Sequence, residues 1–240
     1  MKVDLEKKVL SGTEKVAQET ASLLEEKDCF AINVIGSPGA GKTTLIERII
    51  EDWGGKTRIA CIVGDLATDR DAKRLAARRV LSVQLNTGKG CHLSAESVAA
   101  AVRELPLDEL DVVFVENVGN LVCPTAFSLG EALRIIVLSV PEGDDKVSKY
   151  LPCFATADIV VISKVDILEH CDFDLDKVTQ EILDLRKDMR VFTVSARTGE
   201  GIGRLISGLD SRVGETGSDL SSESEGERRS FSLEEGEMDS

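Results

Sequence analysis

The sequence lacks three features that would place a protein in a membrane, outside the cell or on nucleic acid. It has no apolar run of the about 18 residues that a transmembrane helix needs. Residues 1–6 are charged rather than apolar, so no secretory signal is predicted and we expect a cytoplasmic protein. A surplus of positive charge is also lacking, since 43 acidic against 29 basic residues give a net charge of −14, which argues against nucleic acid or an anionic membrane as a partner.

Disulfide bonds are also not expected, although the chain contains 6 cysteines. In a cytosolic protein such residues are packed thiols or metal ligands rather than a covalent frame. At 240 residues the chain is long enough for one α/β domain with a sizeable core, or for one domain with an appendage.

One glycine-rich stretch carries the first chemistry. Residues 36–43 read Gly-Ser-Pro-Gly-Ala-Gly-Lys-Thr and match the phosphate-binding loop of nucleoside triphosphatases. A strand-like apolar run precedes it at 30–35, and apolar residues at helical spacing follow it at 45–50. Glycines let backbone N–H groups converge on phosphate oxygens, and the helix N-terminus adds partial positive charge. We expect Lys42 to reach the β- and γ-phosphates and the Thr43 hydroxyl to bind Mg²⁺.

Strand-like and helix-like segments alternate along most of the chain. Further strands are predicted at 58–63, 80–85, 111–115, 134–140, 158–162 and 191–194, and further helices at 4–27, 69–79, 94–105, 174–188 and 201–209. This alternation predicts an α/β fold, a three-layer P-loop NTPase with a mainly parallel sheet flanked by helices. Ligands in such sheets bind beyond the carboxyl ends of the strands.

Two short motifs favour guanine over adenine. Residues 163–166 read Ser-Lys-Val-Asp and resemble the guanine-reading motif Asn/Thr-Lys-x-Asp, whose aspartate accepts two hydrogen bonds from guanine. Ser163 departs from the usual asparagine, so a weaker supporting contact is expected. Residues 195–197 read Ser-Ala-Arg and resemble the loop that backs the guanine. The two motifs in this order indicate a GTPase rather than an ATPase, and exposed loops with ordinary charges are the alternative.

Two carboxylates are candidates for Mg²⁺ and for catalysis. Residues 116–119 read Glu-Asn-Val-Gly after a strand, where nucleoside triphosphatases place a carboxylate near Mg²⁺ and a glycine at the γ-phosphate. Asp65 ends the second strand, where an acid binds Mg²⁺ through water or orients the attacking water. Asn120 stands where the best-known small GTPases carry a water-positioning glutamine, so unassisted hydrolysis is expected to be slow.

These motifs define the predicted nucleotide site. The expected catalytic residues are Lys42, Asp65 and Glu116, and the expected Mg²⁺ ligands are Thr43, Asp65 and Glu116. The expected nucleotide-binding residues are Gly36, Ser37, Gly39, Ala40, Gly41, Lys42, Thr43, Thr44, Gly119, Lys164, Asp166, Ser195, Ala196 and Arg197.

Three side chains form a candidate metal site. Cys91 and His92 follow the third strand, and Cys123 lies four residues past the glycine that ends the Glu-Asn-Val-Gly stretch. If neighbouring strands carry both loops, two thiolates and an imidazole converge beside the γ-phosphate, and these donors suit Ni²⁺ or Zn²⁺. A chance Cys-His pair with a buried lone cysteine is the alternative. The second pair, His170 and Cys171, is interpreted as solvent-facing and without function.

We expect the chain to have three parts. Residues 1–28 would form an N-terminal helix packed on the G domain, and residues 29–213 the P-loop GTPase domain. Residues 214–240 form an acidic, serine-rich tail with few apolar residues, so this segment is predicted to be disordered. A solubilising tail is the simpler interpretation, and a partner-binding tail is the alternative.

With these residues in place, the sequence resembles the hydrogenase nickel-incorporation GTPase family (HypB), which helps to mature nickel–iron hydrogenases. The most specific stretch is Glu-Asn-Val-Gly-Asn-Leu-Val-Cys-Pro at 116–124, which separates this family from the related urease-accessory GTPases. The other matching stretches lie at 36–44, 64–69, 86–93 and 142–146.

The resemblance implies a Mg²⁺-dependent GTPase that binds nickel or zinc and regulates nickel delivery during hydrogenase maturation. It implies a homodimer promoted by GTP, with Cys91, His92 and Cys123 binding the metal at the subunit interface. The implied partners are a hydrogenase maturation protein and the precursor of the hydrogenase large subunit. The N-terminal cysteine motif and the histidine-rich stretch of some members are missing from this sequence, so a second high-affinity nickel site is not expected.

Two rival functions remain at the level of the sequence. A urease-type nickel GTPase is disfavoured by the stretch at 116–124. A metal carrier with a vestigial nucleotide site is disfavoured by the intact Lys42 and Thr43.

Overall fold

Seven parallel strands form the centre of the structure. The computed structural model describes residues 5–53, 55–65, 80–88 and 90–215, with the side chains of residues 5–11, 65, 212, 214 and 215 outside the described part. The strands run in the order β3-β2-β4-β1-β5-β6-β7, and every neighbouring pair is parallel. The predicted α/β fold with a parallel sheet is therefore confirmed. The strands are β1 (Phe30–Gly36), β2 (Ile59–Asp65), β3 (Leu81–Asn86), β4 (Val112–Glu116), β5 (Leu133–Ser139), β6 (Ile159–Ser163) and β7 (Arg190–Val194).

Helices cover both faces of this sheet. Every helix predicted within the described residues is present, and the helix predicted at 69–79 lies outside them. The last helix continues past its predicted end at residue 209, because the half-buried Val213 prolongs the apolar stripe that packs on the core. The α-helices of the described part are α1 (Leu5–Glu26), α2 (Lys42–Trp53), α3 (Ala95–Glu104), α4 (Lys146–Lys149), α5 (Leu151–Ala155), α6 (Leu175–Leu185) and α7 (Ile202–Glu215). Single 3-10 turns include Cys123–Ala126 and Val165–His170.

The core lies on both faces of the sheet because side chains alternate along each strand. In β4, Val112 and Phe114 pack on the face covered by α2 and α7, together with Trp53. Val113 and Val115 pack on the opposite face, under α1 and α3. The runs of β-branched residues in the sequence are therefore buried on both sides, as a parallel sheet between two helical layers requires.

The N-terminal helix α1 packs against α3 and the sheet. Its Ala17 and Leu24 are buried in the same cluster as the inner face of α3. Gly130 permits this approach, since a Cβ at that position would lie 2.7 Å from the carbonyl oxygen of Ala17. Although α1 spans 22 residues, it is charged as well as apolar. Among the described residues, no helix combines the length and the apolar character needed to cross a membrane.

The carboxyl ends of the strands share one edge of the sheet, because all strands are parallel. Gly36, Asp65, Glu116 and Ser163 each end a strand at this edge. The loops that follow them carry the motifs predicted to bind phosphate, magnesium and base. The fold therefore gathers these motifs where ligands of open α/β sheets bind.

Candidate nucleotide site and metal centre

The phosphate loop lies between β1 and α2 and depends on backbone angles that favour glycine. Gly39 has a φ of 78° and Gly41 a φ of 96°, in the region that other residues rarely adopt. The ammonium group of Lys42 lies over the loop, where Nζ donates to the carbonyl oxygens of Gly36 at 3.1 Å and Ser37 at 3.2 Å. Lys42 is buried, so its charge is concentrated inside the loop.

Thr43 and Glu116 meet at the start of α2. The Thr43 hydroxyl donates to Oε1 of Glu116 at 2.6 Å, and both residues are buried. Adjacent hydroxyl and carboxylate oxygens suit Mg²⁺, a hard cation that takes oxygen ligands. Asp65 ends β2 at the same edge, but its side chain lies outside the described residues.

A cavity of about 310 Å³ lies between the phosphate loop and the ends of β6 and β7. It is named the Asp166 cavity here. Oδ1 of Asp166 accepts a hydrogen bond from the Ser195 hydroxyl at 2.7 Å, and Oδ2 lies 3.5 Å from a guanidinium nitrogen of Arg197. The motifs at 163–166 and 195–197 are therefore brought together. Residues that line the cavity include Ala40, Thr44, Lys164, Asp166, Ala196 and Arg197.

Ser163 makes a close contact with the phosphate loop, although it departs from the usual asparagine. Its hydroxyl donates to the carbonyl oxygen of Ala40 at 2.7 Å in a buried position. Nζ of the next residue, Lys164, donates to the carbonyl oxygen of Gly39 at 2.6 Å. Lys164 has a φ of 62°, an uncommon value for a residue with a side chain. Serine therefore reaches the loop directly, and whether this contact is weaker than that of the usual asparagine stays a prediction.

Cys91, His92 and Cys123 converge at the same edge and are named the Cys-His-Cys cluster. Their potential ligand atoms all lie within 4.8 Å of one another, and Sγ of Cys91 is 3.6 Å from Nδ1 of His92. The pKa of the Cys91 thiol is raised, chiefly by a hydrogen bond with Cys123 and to a smaller extent by desolvation. Two sulfurs and an imidazole nitrogen are donors that fit Zn²⁺ or Ni²⁺. Within the described part of the chain, this is the one group of at least three such side chains that could hold a metal ion.

The two loops of the cluster do not come from neighbouring strands, so the side chains converge without the condition on which their predicted convergence depended. β2 lies between β3 and β4, and the loop after β3 crosses the end of β2. Gly64 leaves room for this crossing, since a Cβ there would lie 2.8 Å from Cγ of the buried Leu93. The loop therefore reaches the segment after β4 despite the intervening strand.

Asn117 is a site residue that the sequence motifs did not identify. Its Oδ1 accepts hydrogen bonds from the backbone N–H groups of Leu93 at 3.2 Å and Val118 at 3.0 Å. Its Nδ2 lies 3.4 Å from Oδ1 of Asn33 in β1. Asn117 thus joins the backbone beside His92 to the end of β4. The signal that could have identified Asn117 is its place directly after the apolar strand β4, where a polar side chain is expected to be buried.

A buried ion pair supports the cluster from behind. Arg134 donates two hydrogen bonds to Oε1 of Glu131, at 2.6 and 2.9 Å, and a third to the carbonyl oxygen of Phe127 at 2.9 Å. The Phe127 ring stacks on the imidazole of His92, with centroids 5.6 Å apart. The ion pair therefore holds the backbone of the residue whose ring faces the histidine.

The other cysteines pack in the protein rather than in a site. All six are free thiols, and burial raises the pKa of Cys29 to about 11 and that of Cys153 to about 12. Cys171 is half-buried and packs against the core, whereas the neighbouring His170 is exposed. The interpretation of this pair as solvent-facing was therefore wrong for Cys171.

The comparisons with known proteins agree with this geometry. The family described as "CobW/HypB/UreG, nucleotide-binding domain" matches residues 30–193. The hydrogenase maturation factor HypB of Azotobacter chroococcum mcd 1 is 42% identical over 212 residues, which cover 88% of this chain and 70% of that protein.

Two solved structures are similar over most of the chain. HypB from Archaeoglobus fulgidus matches with a TM-score of 0.80 and 33% identity, over 85% of this chain and 100% of that one. HypB from Helicobacter pylori, solved in complex with nickel, matches with a TM-score of 0.81 and 35% identity, over 85% of this chain and 96% of that one.

Fold and family match together define a P-loop nucleotide-binding protein built on an all-parallel sheet. The segment between Glu116 and Pro124 is the most specific stretch of the sequence. It runs from the contact with Thr43 at the phosphate loop to Cys123 of the Cys-His-Cys cluster. The chain belongs to the CobW/HypB/UreG family and, within it, to the HypB hydrogenase maturation factors.

Proposed function

We propose that the protein is a Mg²⁺-dependent GTPase that binds nickel and regulates its delivery during maturation of nickel–iron hydrogenases. One observation carries the proposal: the segment 116–123 reaches both sites. Its first residue, Glu116, accepts a hydrogen bond from Thr43 at the phosphate loop, and its last, Cys123, belongs to the Cys-His-Cys cluster. A change at one site therefore has a short physical route to the other.

The nucleotide site has the groups that GTP requires. Asp166 would accept hydrogen bonds from the guanine N1–H and amino groups, while Lys42 supplies a fixed positive charge to the phosphates. Thr43, Glu116 and Asp65 would hold Mg²⁺, which neutralises phosphate charge when bound. Asn120 uses its side-chain amide to hold backbone groups of Cys91 and Val122. That engagement favours slow unassisted hydrolysis, because an amide held by the backbone is less free to orient a water.

The Cys-His-Cys cluster would hold the transported metal. Nickel is the proposed cargo and zinc the alternative, since both accept thiolate and imidazole ligands. Three side chains leave at least one position for a further ligand. Cys91 is exposed, and the neighbouring Val122 is 59% exposed. We therefore propose that a second copy of the chain covers this face in a homodimer promoted by GTP.

The proposed cellular role follows from the family. A cytoplasmic hydrogenase maturation protein and the precursor of the hydrogenase large subunit would be the partners. A cluster that is partly exposed in the single chain suits this role, because a transferable metal must be reachable by the next ligand set when the dimer is open.

A single assay tests the enzymatic part. Phosphate release from GTP and from ATP is measured with and without Mg²⁺, in wild type and in a Lys42→Ala control. We expect slow, Mg²⁺-dependent turnover of GTP alone. Equal turnover of ATP would refute the preference for guanine, and no phosphate release from either nucleotide would refute the GTPase and favour a metal carrier.

Nickel binding is tested separately by equilibrium titration against a chromophoric chelator. Wild type should bind nickel at the Cys-His-Cys cluster, and Cys123→Ala should bind nickel far more weakly. Cys153→Ala is the matched control, since that thiol is buried away from the cluster. Unchanged affinity in Cys123→Ala would remove the proposed metal site.

A further inference from the structure

Asn120 contacts three segments that otherwise belong to different sites. Its backbone pairs with Gly36, the first residue of the phosphate loop, in an isolated antiparallel bridge. Its side-chain Nδ2 donates to the carbonyl oxygen of Cys91 at 3.3 Å. Its Oδ1 accepts a hydrogen bond from the N–H of Val122 at 2.8 Å, next to Cys123. One residue therefore contacts the phosphate loop and both loops of the Cys-His-Cys cluster.

The residue before it, Gly119, packs directly against the phosphate loop. A Cβ on Gly119 would lie 2.9 Å from the Cα and backbone N of Pro38. The neighbouring residues Val118 and Leu121 are buried. We therefore expect a displacement of the phosphate loop to shift this segment, and Asn120 with it, because close-packed groups transmit strain.

We infer that Asn120 is the positioning residue that couples the nucleotide state to metal affinity, an inference that rests on the proposed function of both sites. The amide fixes the Cys91 carbonyl and the Val122 N–H at a set separation, which sets how the two cysteine sulfurs approach each other. When a nucleotide shifts the backbone bridge between Asn120 and Gly36, both sulfurs change position together. Neither cysteine side chain needs to touch the nucleotide.

Substitutions at this residue can separate its two hydrogen bonds. Asn120→Ala removes both. Asn120→Asp keeps an acceptor for the Val122 N–H but replaces the donor facing the Cys91 carbonyl with a carboxylate oxygen. Thr125→Val is the matched control, since its hydroxyl also donates to this loop, to the carbonyl oxygen of Val122 at 2.8 Å. That bond stays within the loop and links it to neither the phosphate loop nor Cys91.

The test measures nickel affinity in the GDP-bound and the GTP-analogue-bound protein for each variant, and nucleotide affinity with and without nickel. Typical allosteric coupling changes an affinity about 5- to 150-fold, and the change is reciprocal. Wild type and Thr125→Val should show the same ratio of nickel affinities between the two nucleotide states. In Asn120→Ala and Asn120→Asp the ratio should collapse toward unity, while nucleotide affinity without nickel stays close to wild type.

The ratio separates coupling from a purely structural role, because a merely loosened cluster would bind nickel more weakly in both nucleotide states and keep the ratio. A wild-type ratio in Asn120→Ala would overturn the inference while leaving both sites in place. A ratio of unity in wild type would overturn it as well. Failure of wild type to bind nickel or guanine nucleotide would instead refute the proposed function itself, and the inference with it.

Discussion

Replacing Asp166 by asparagine tests whether the Asp166 cavity reads guanine. The carboxylate is already oriented, with Oδ1 accepting from the Ser195 hydroxyl at 2.7 Å and Oδ2 lying 3.5 Å from Arg197. Guanine would add two donors, its N1–H and its amino group. In Asp166→Asn one carboxylate oxygen becomes an NH₂ group, so a donor faces a donor. Xanthine carries a carbonyl where guanine has the amino group and therefore suits the variant better.

The size of the effect follows from the charge on the acceptor. A hydrogen bond to a charged group contributes about 1.5–3 kcal/mol, and each ~1.4 kcal/mol is a tenfold change in affinity. Asp166→Asn should therefore bind GTP about 10- to 150-fold more weakly and gain affinity for xanthosine triphosphate. The ion pair to Arg197 should add little, since that side chain is 83% exposed and exposed pairs contribute about 0–1 kcal/mol.

The assay is an equilibrium titration with a fluorescent guanine nucleotide, with GTP, ATP and xanthosine triphosphate as competitors. Arg197→Ala is the control, because it removes the ion pair and leaves the carboxylate; its GTP affinity should change less than about fivefold. A thermal melt of each variant checks that it folds. Equal GTP affinity in wild type and Asp166→Asn would refute the guanine assignment.

Four further outcomes are expected. Lys42→Ala should abolish GTP turnover, because the γ-phosphate charge would develop without its fixed cation; hydrolysis at the wild-type rate would assign the activity elsewhere. Nickel affinity should decrease as the pH is lowered, since the pKa of the Cys91 thiol is raised and protons compete with the metal for its ligands; constant affinity in titrations between about pH 6 and pH 9, around the usual thiol pKa, would contradict this. Glu131→Ala should destabilise the fold by about 3–5 kcal/mol in urea denaturation, because it leaves the buried Arg134 charge unpaired, and a loss below about 1 kcal/mol would show that water replaces the carboxylate. Deleting residues 214–240 should leave the melting temperature and GTP turnover nearly unchanged; a large drop in melting temperature would show that the tail packs on the domain.

The sheet and the phosphate loop could be predicted from the sequence because their signals are local. Buried strands such as β4 and β6 appear as short runs of β-branched residues, and a strand covered on both faces needs no other pattern. The glycines at 39 and 41 stand where the loop requires positive φ values, which other residues rarely adopt. Each of these features is set within a short local window, well inside the roughly 11–18 residues over which a periodicity argument works.

The metal cluster depends on contacts that no local pattern reveals. The convergence of its loops requires Gly64 to leave space for Leu93, a contact across 29 positions of the chain. It also requires the order of the strands, which places β2 between the two loops. Ser163, which departs from the usual motif residue, likewise donates a hydrogen bond to Ala40, 123 positions away. Such a contact is visible only once the strands are aligned.

Sharing one segment between two sites also sets how they can communicate. Glu116 is anchored at the phosphate loop through Thr43, and the chain then passes Gly119 against Pro38 before it reaches Cys123. A nucleotide can shift metal affinity only as far as its own contacts differ between the two arrangements of this segment. Because Val118 and Leu121 are buried, the segment has few intermediate positions, and close packing favours two discrete arrangements over a continuous range. The same burial that stabilises the loop therefore makes it suitable as a switch.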